Sequence, residues 1–233
     1  MKTIQASAEM KGERQRSKSG WLAITGLLLL SALPVLGGVL RLRDVGAVPG
    51  SGLPLALSVA VVAHIVATSV YCILGAFQFS PALRIRRGWH RAAGRALIPA
   101  GFIAVWLAVF FGGPSDERAL AMVRLVFAVA MTVFLVLGAL AIKRRDFTGH
   151  GAWMTRAFAI AVTGGTQALV VVLWAIPFGE VDGVGETWLV AVGFVINSVV
   201  AELLIRRRSG RRTPGVSRQQ TQAAVVPPGR RTL

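Results

Sequence analysis

Three histidines, one tyrosine, a few amides and a few charges embedded in apolar sequence carry whatever chemistry this 233-residue chain performs. Histidine titrates near neutrality and serves as a proton carrier or a metal or haem ligand, while amide and guanidinium groups bind carbonyls and anions. These residues are spaced for a purpose. His64, Thr68, Tyr71, Gly75 and Gln78 follow one another at steps of four, three, four and three, which is one face of a helix. Trp153, Arg156, Ala159, Thr163, Gln167 and Trp174 make a comparable stripe further on.

The elements that position them are apolar. With 54% hydrophobic residues and a mean hydropathy of +0.63, the chain contains six stretches long enough to cross a bilayer, roughly 21–40, 54–79, 96–112, 119–142, 152–176 and 187–205. The fold predicted is all-α: a polytopic membrane helix bundle with six transmembrane helices. Lys and Arg crowd into alternate linkers, around residues 84–95, 143–145 and 206–231 and in the first twenty residues. Cationic loops stay on the cytoplasmic side, so both termini are expected to be cytoplasmic. The expected layout is a basic N-tail over 1–20, a transmembrane domain over 21–205 and a basic, disordered C-tail over 206–233.

A net charge of +16 in a soluble protein points to nucleic acid. Here the cations follow the membrane topology, which excludes that partner and makes anionic lipid headgroups the expected one at the basic cytoplasmic face. A docking segment for a membrane or cytoplasmic protein is the other use such a tail has. The first apolar stretch is too long for a signal-peptide core and reads as an uncleaved anchor, with Pro34 and Gly37-Gly38 favouring a kink.

A polar side chain in hydrocarbon costs a few kcal/mol and usually faces the bundle interior. His64, Tyr71, Gln78, Arg124, Arg156, Gln167, Asn197 and Glu202 are therefore expected to line a polar intramembrane site. At about 1.5 Å of rise per residue, His64 and Gln167 both lie roughly 22 Å from the cytoplasmic boundary, in one layer, and Arg124 enters the same region from outside. His64 suits a haem ligand, a proton relay or a quinone partner, and equally a packing residue bonded to Gln167 or a carbonyl.

A second layer gathers at the cytoplasmic end. His90 and His150 each stand just ahead of a helix, as interfacial residues or as a haem-ligating pair. Arg156 needs a counter-charge, and Glu202 is the acid placed to supply it; Glu202 and Arg206 also form an i, i+4 pair. Asn197 is expected to bond across helices. The run Thr163-Gly164-Gly165-Thr166 admits a close neighbour helix or a flat cofactor.

No hydrolase, zincin or phosphate-loop motif is present. One cysteine, Cys72, and three histidines give no disulfide framework and no structural zinc site. An isolated hydrolase has little support, and a stand-alone enzyme is the less expected reading.

Three segments resemble a family of bacterial predicted membrane proteins, the domain-of-unknown-function family numbered 2306: GAFQFSPALRIRRGWHRAAGR at 75–95, GHGAWMTRAFAIA at 149–161 and INSVVAELLIRR at 196–207. The matching positions are His64, then His90-Arg91 with Gly94-Arg95, then His150 with Trp153-Met154 and Arg156, then Asn197 with Ala201-Glu202. The resemblance implies a fold and a set of residues without a reaction. The functional expectation is a haem- or quinone-linked redox or sensing component, with a small transporter or channel, or a non-catalytic membrane subunit, as alternatives.

Overall fold

The computed structural model describes residues 21–22, 24–40, 55–80, 87–110, 118–179 and 183–210. Among them every regular element is helical, and there are seven: α1 (Ile24–Leu40), α2 (Leu55–Gln78), α3 (Arg87–Phe110), α4 (Arg118–Lys143), α5 (Phe147–Ala161), α6 (Thr163–Phe178) and α7 (Gly183–Gly210). The predicted N-tail 1–20 and, of the predicted C-tail 206–233, everything beyond Gly210 lie outside the described residues; 206–210 are helical.

Helices α2, α3, α4 and α7 are each long and apolar enough to cross a membrane, and α5 with α6, bent by 41°, adds a fifth if the pair counts as one span. The shorter apolar α1 is compatible with a sixth. The surface is inverted relative to a soluble protein. Val126, Leu173, Ile176 and Trp188 are all exposed, as lipid-facing side chains are where hydrocarbon replaces water.

Inside, Tyr71, Cys72, Ala76, Leu97, Met131, Leu135, Ala157 and Phe158 form the core where α2, α3, α4 and α5 meet. The seam predicted on α2 faces inward: Tyr71 stacks on Phe158 with centroids 6.2 Å apart, and Gly75 lies against the same ring. Antiparallel neighbours follow from tight turns. After α4, Arg145 takes a left-handed φ of 57°, and Asp146 caps α5 by accepting from the Gly149 N–H at 2.8 Å.

Three boundaries differ from the sequence reading. Helix α3 begins at Arg87, nine residues before the apolar run, because GWHRAAGR contains no breaker and continues the helix out of the apolar layer. His90 consequently sits in the first turn of α3, and His150 in the first turn of α5, rather than ahead of them. Helix α7 runs on through Arg206, Arg207 and Arg208, good helix formers that also suit its negative end.

The third difference matters most. The stretch 152–176 is two helices, interrupted at Val162, whose N–H bonds back to Phe158 at 3.0 Å while its carbonyl accepts from Gly165 at 3.1 Å. Two consecutive glycines weaken the helix by about 1 kcal/mol each. They also admit α1. Pro34 has no N–H for the Leu30 carbonyl four residues before it, and that carbonyl oxygen lies against Gly165, where any Cβ would collide with it. A freed carbonyl meeting a glycine Cα is a recurrent helix–helix contact.

Candidate functional site

A cavity of about 220 Å³ lies between α2, α4, the α5–α6 break and α7, in the half of the bundle away from the arginine-rich turns. Of the sequence-predicted residues, His64, Tyr71, Arg124 and Gln167 line it. The stripe on α2 and the polar residues of α4 and α6 thus converge, as their depths required.

His64 is held by α3. Its Nδ1 lies 2.8 Å from the Ala104 carbonyl oxygen, and a carbonyl only accepts, so Nδ1 carries the hydrogen and Nε2 is the ring's basic nitrogen. Gln167 is held by α7: its Nε2 donates to the Val190 carbonyl at 3.4 Å. Gly193 gives the glutamine room, since a Cβ there would stand 2.8 Å from Gln167 Cγ. Thr68, one turn from His64 on the same wall, has a buried hydroxyl with no hydrogen-bond partner among the described residues.

The remaining wall is apolar and aromatic. Phe127 and Phe194 stack face to face, with centroids 4.0 Å apart and planes 7° apart, and both line the cavity. Neither was singled out from sequence. The signal was present, because Arg124, Phe127, Ala128 and Met131 share one face of α4.

The other predicted residues form a separate layer at the basic end. Gln78 is fourteen residues beyond His64 on one helix, about 21 Å along it, and its Nε2 donates to the His90 carbonyl at 3.3 Å. His150 donates from Nδ1 to the Gly138 carbonyl at 2.9 Å, fastening α5 to α4. Arg156 holds Glu202 through Nε at 3.0 Å and Nη2 at 2.9 and 3.1 Å, while its guanidinium lies 4.7 Å from the centre of the Trp153 ring. Arg206 stands 3.8 Å from the same carboxylate. Apart from the Trp153 and Arg206 contacts, which lie within α5 and α7, these contacts join helices.

Asn197 also joins helices, at the break itself. Its Nδ2 donates to the Ala159 carbonyl and to Thr163 Oγ1, both at 3.2 Å, and its Oδ1 accepts from Thr166 Oγ1 at 2.9 Å. Thr163 Oγ1 donates to the same Ala159 carbonyl at 3.0 Å. One amide on α7 thereby clasps both sides of the interruption whose residues wall the cavity.

No curated protein and no solved structure matches the chain. The family model described as Predicted membrane protein (DUF2306) matches residues 61–205, from α2 into the last turns of α7. That match covers more than half of the chain and agrees with its apolar helices: the protein is an integral membrane protein belonging to the DUF2306 family.

Proposed function

We propose that this protein is a redox or sensing component of the bacterial inner membrane that binds the ring of a quinone in the cavity beside His64. The observation that carries the reading is the convergence of His64 and Gln167 on one cavity walled by the stacked Phe127 and Phe194. Quinone oxygens accept hydrogen bonds when oxidised and donate them when reduced, and an amide with an imidazole serves both states. Ring size supports the choice. An apolar cavity of about 150 Å³ holds benzene, so about 220 Å³ suits one or two fused rings and is small for a porphyrin.

In this reading both termini are cytoplasmic, as the distribution of Lys and Arg suggests. The exposed cations Arg91, Arg95, Lys143, Arg144, Arg145 and Arg206 to Arg208 then face anionic lipid headgroups, at about 1 kcal/mol each.

Equilibrium dialysis of 1,4-naphthoquinone against protein in nanodiscs, with empty nanodiscs as reference, tests the reading. Saturable binding that falls at least tenfold in His64→Ala and Gln167→Leu supports it; non-saturable uptake equal to that of empty discs refutes it. A Soret band in the purified protein, lost in His64→Ala, would replace quinone by haem.

One observation favours a second reading, a small transporter. Transporters build substrate sites from discontinuous helices near the bilayer midplane, and the α5–α6 break borders this cavity. Quinone-independent solute uptake into proteoliposomes that is abolished by Gly165→Val would favour transport.

A further inference from the structure

Among the described residues, Arg124 is the one ionised side chain on the cavity wall and no acid stands with it. Of the acids whose side chains are described, Asp146 caps α5 and Glu202 is held by Arg156, both at the opposite end of the bundle. Arg124 lies six residues into α4, about 9 Å along the helix, where a charge costs several kcal/mol unless it is paired or hydrated. No ion pair or hydrogen bond joins its guanidinium to a described residue.

The wall around it is suited to a flat, electron-rich group. Phe127 is one turn further on the same face of α4, and the stacked Phe194 continues that surface across to α7. Gln167 adds an amide anchored on Val190. A guanidinium forms two parallel hydrogen bonds to a carboxylate or to a pair of conjugated oxygens, a geometry no neutral carbonyl matches.

We infer that the cavity takes its ligand as an anion: a ring bearing an ionised hydroxyl beside a carbonyl, or a ring carboxylate, with Arg124 as the counter-ion. This rests on the cavity being the ligand site proposed above and narrows the ligand to acidic carbonyl compounds. The anion neutralises a cation that no described residue pairs, and the aromatic wall takes the ring. Selectivity over the uncharged ring follows, because a neutral ligand leaves the half-buried guanidinium without a counter-charge among the described residues.

Two matched pairs of probes test it by dialysis in zwitterionic nanodiscs. The first is 2-hydroxy-1,4-naphthoquinone, an anion at neutral pH, against 1,4-naphthoquinone; the second is 2-naphthoate against 2-acetylnaphthalene. In each pair the anion is expected to bind at least tenfold more tightly, the contribution of about one charged hydrogen bond. Arg124→Gln should bring the ratio to about one and Arg124→Lys should restore part of it, with thermal melting used to show that both variants are folded.

Equal binding within both pairs, preference for the neutral ring, or a preference that survives Arg124→Gln in a folded protein overturns the inference. Absence of binding by both anions also overturns it. If naphthoate shows the Arg124-dependent preference while neither quinone binds, the anion site stands and the quinone reading falls.

Discussion

The Nδ1–H of His64 donates to the Ala104 carbonyl oxygen at 2.8 Å, tying α2 to α3 and fixing the tautomer of a histidine that lines the cavity. The bond orients the imidazole as backbone carbonyls orient metal-ligating histidines. Replacement by alanine removes the ring and leaves the Ala104 carbonyl without that donor, at about 1 kcal/mol. His64→Ala is therefore expected to lower the melting temperature in detergent by only a few degrees while reducing naphthoquinone affinity at least tenfold. A melting shift large enough to unfold the protein, or unchanged affinity, would place the histidine in packing alone.

Arg156 and Glu202 serve a different purpose. Their forked contact joins α5 to α7 at the basic end, away from the cavity. Glu202→Gln should destabilise the bundle by about 2 kcal/mol, and Arg156→Lys should cost a similar amount because lysine has no fork. A double-mutant cycle read by thermal unfolding should give a coupling energy of about 1 kcal/mol or more, with naphthoquinone affinity per folded molecule unchanged. Additive effects would mean that the two side chains act independently.

The Asn197 clasp spans the break between α5 and α6. Asn197→Leu keeps the volume but strips hydrogen bonds from the Ala159 carbonyl and both threonines, so a loss of about 2 kcal/mol is expected, with faster proteolysis near Val162 in limited digestion. Wild-type stability and an unchanged digestion pattern would show that the break holds without it.

Gly165 admits the backbone of α1, where the carbonyl released by Pro34 occupies the space of a side chain. A carbonyl cannot swing aside as a flexible side chain can. Gly165→Val should separate α1 from α6 and lower stability by at least about 2 kcal/mol, whereas Gly151→Ala, with open space around it, should have little effect. Equal melting temperatures for the two variants would contradict this packing.

Much of the helical architecture was legible because lipid imposes long apolar runs. The bounds expected for the second and fourth runs, 54–79 and 119–142, fall within a residue of α2 and α4. The inward seam on α2 was legible for the same reason: the polar groups of His64 and Tyr71 cannot face lipid cheaply. So was the Arg156 to Glu202 pair, since each charge needed the other at that depth. The break at Val162 was not. Its cause is the fit of α1 against Gly164 and Gly165, a tertiary contact invisible to periodicity, so a rise counted straight through 152–176 treats two helices as one. The aromatic wall was missed because Phe127 and Phe194 look like ordinary lipid-phase residues until α4 and α7 bring them together. Local sequence also could not divide the polar residues into two layers, since only cross-helix contacts separate Gln78, Asn197, Arg156 and Glu202 from the cavity.

Topology follows from the same membrane logic. Reporter fusions at the two ends of the chain should both register in the cytoplasm, and alkaline carbonate should leave the protein in the membrane pellet. Opposite locations for the two ends would require an odd number of spans.

Photolabelling with an azido-naphthoquinone in native membranes tests the central claim most directly, because it asks where a ring sits rather than whether one partitions into lipid. Label is expected on Phe127, Met131 and Phe194 around the cavity, reduced by excess unlabelled quinone and by His64→Ala. Label confined to outward-facing residues such as Val126 and Leu173, insensitive to competitor, would contradict the account.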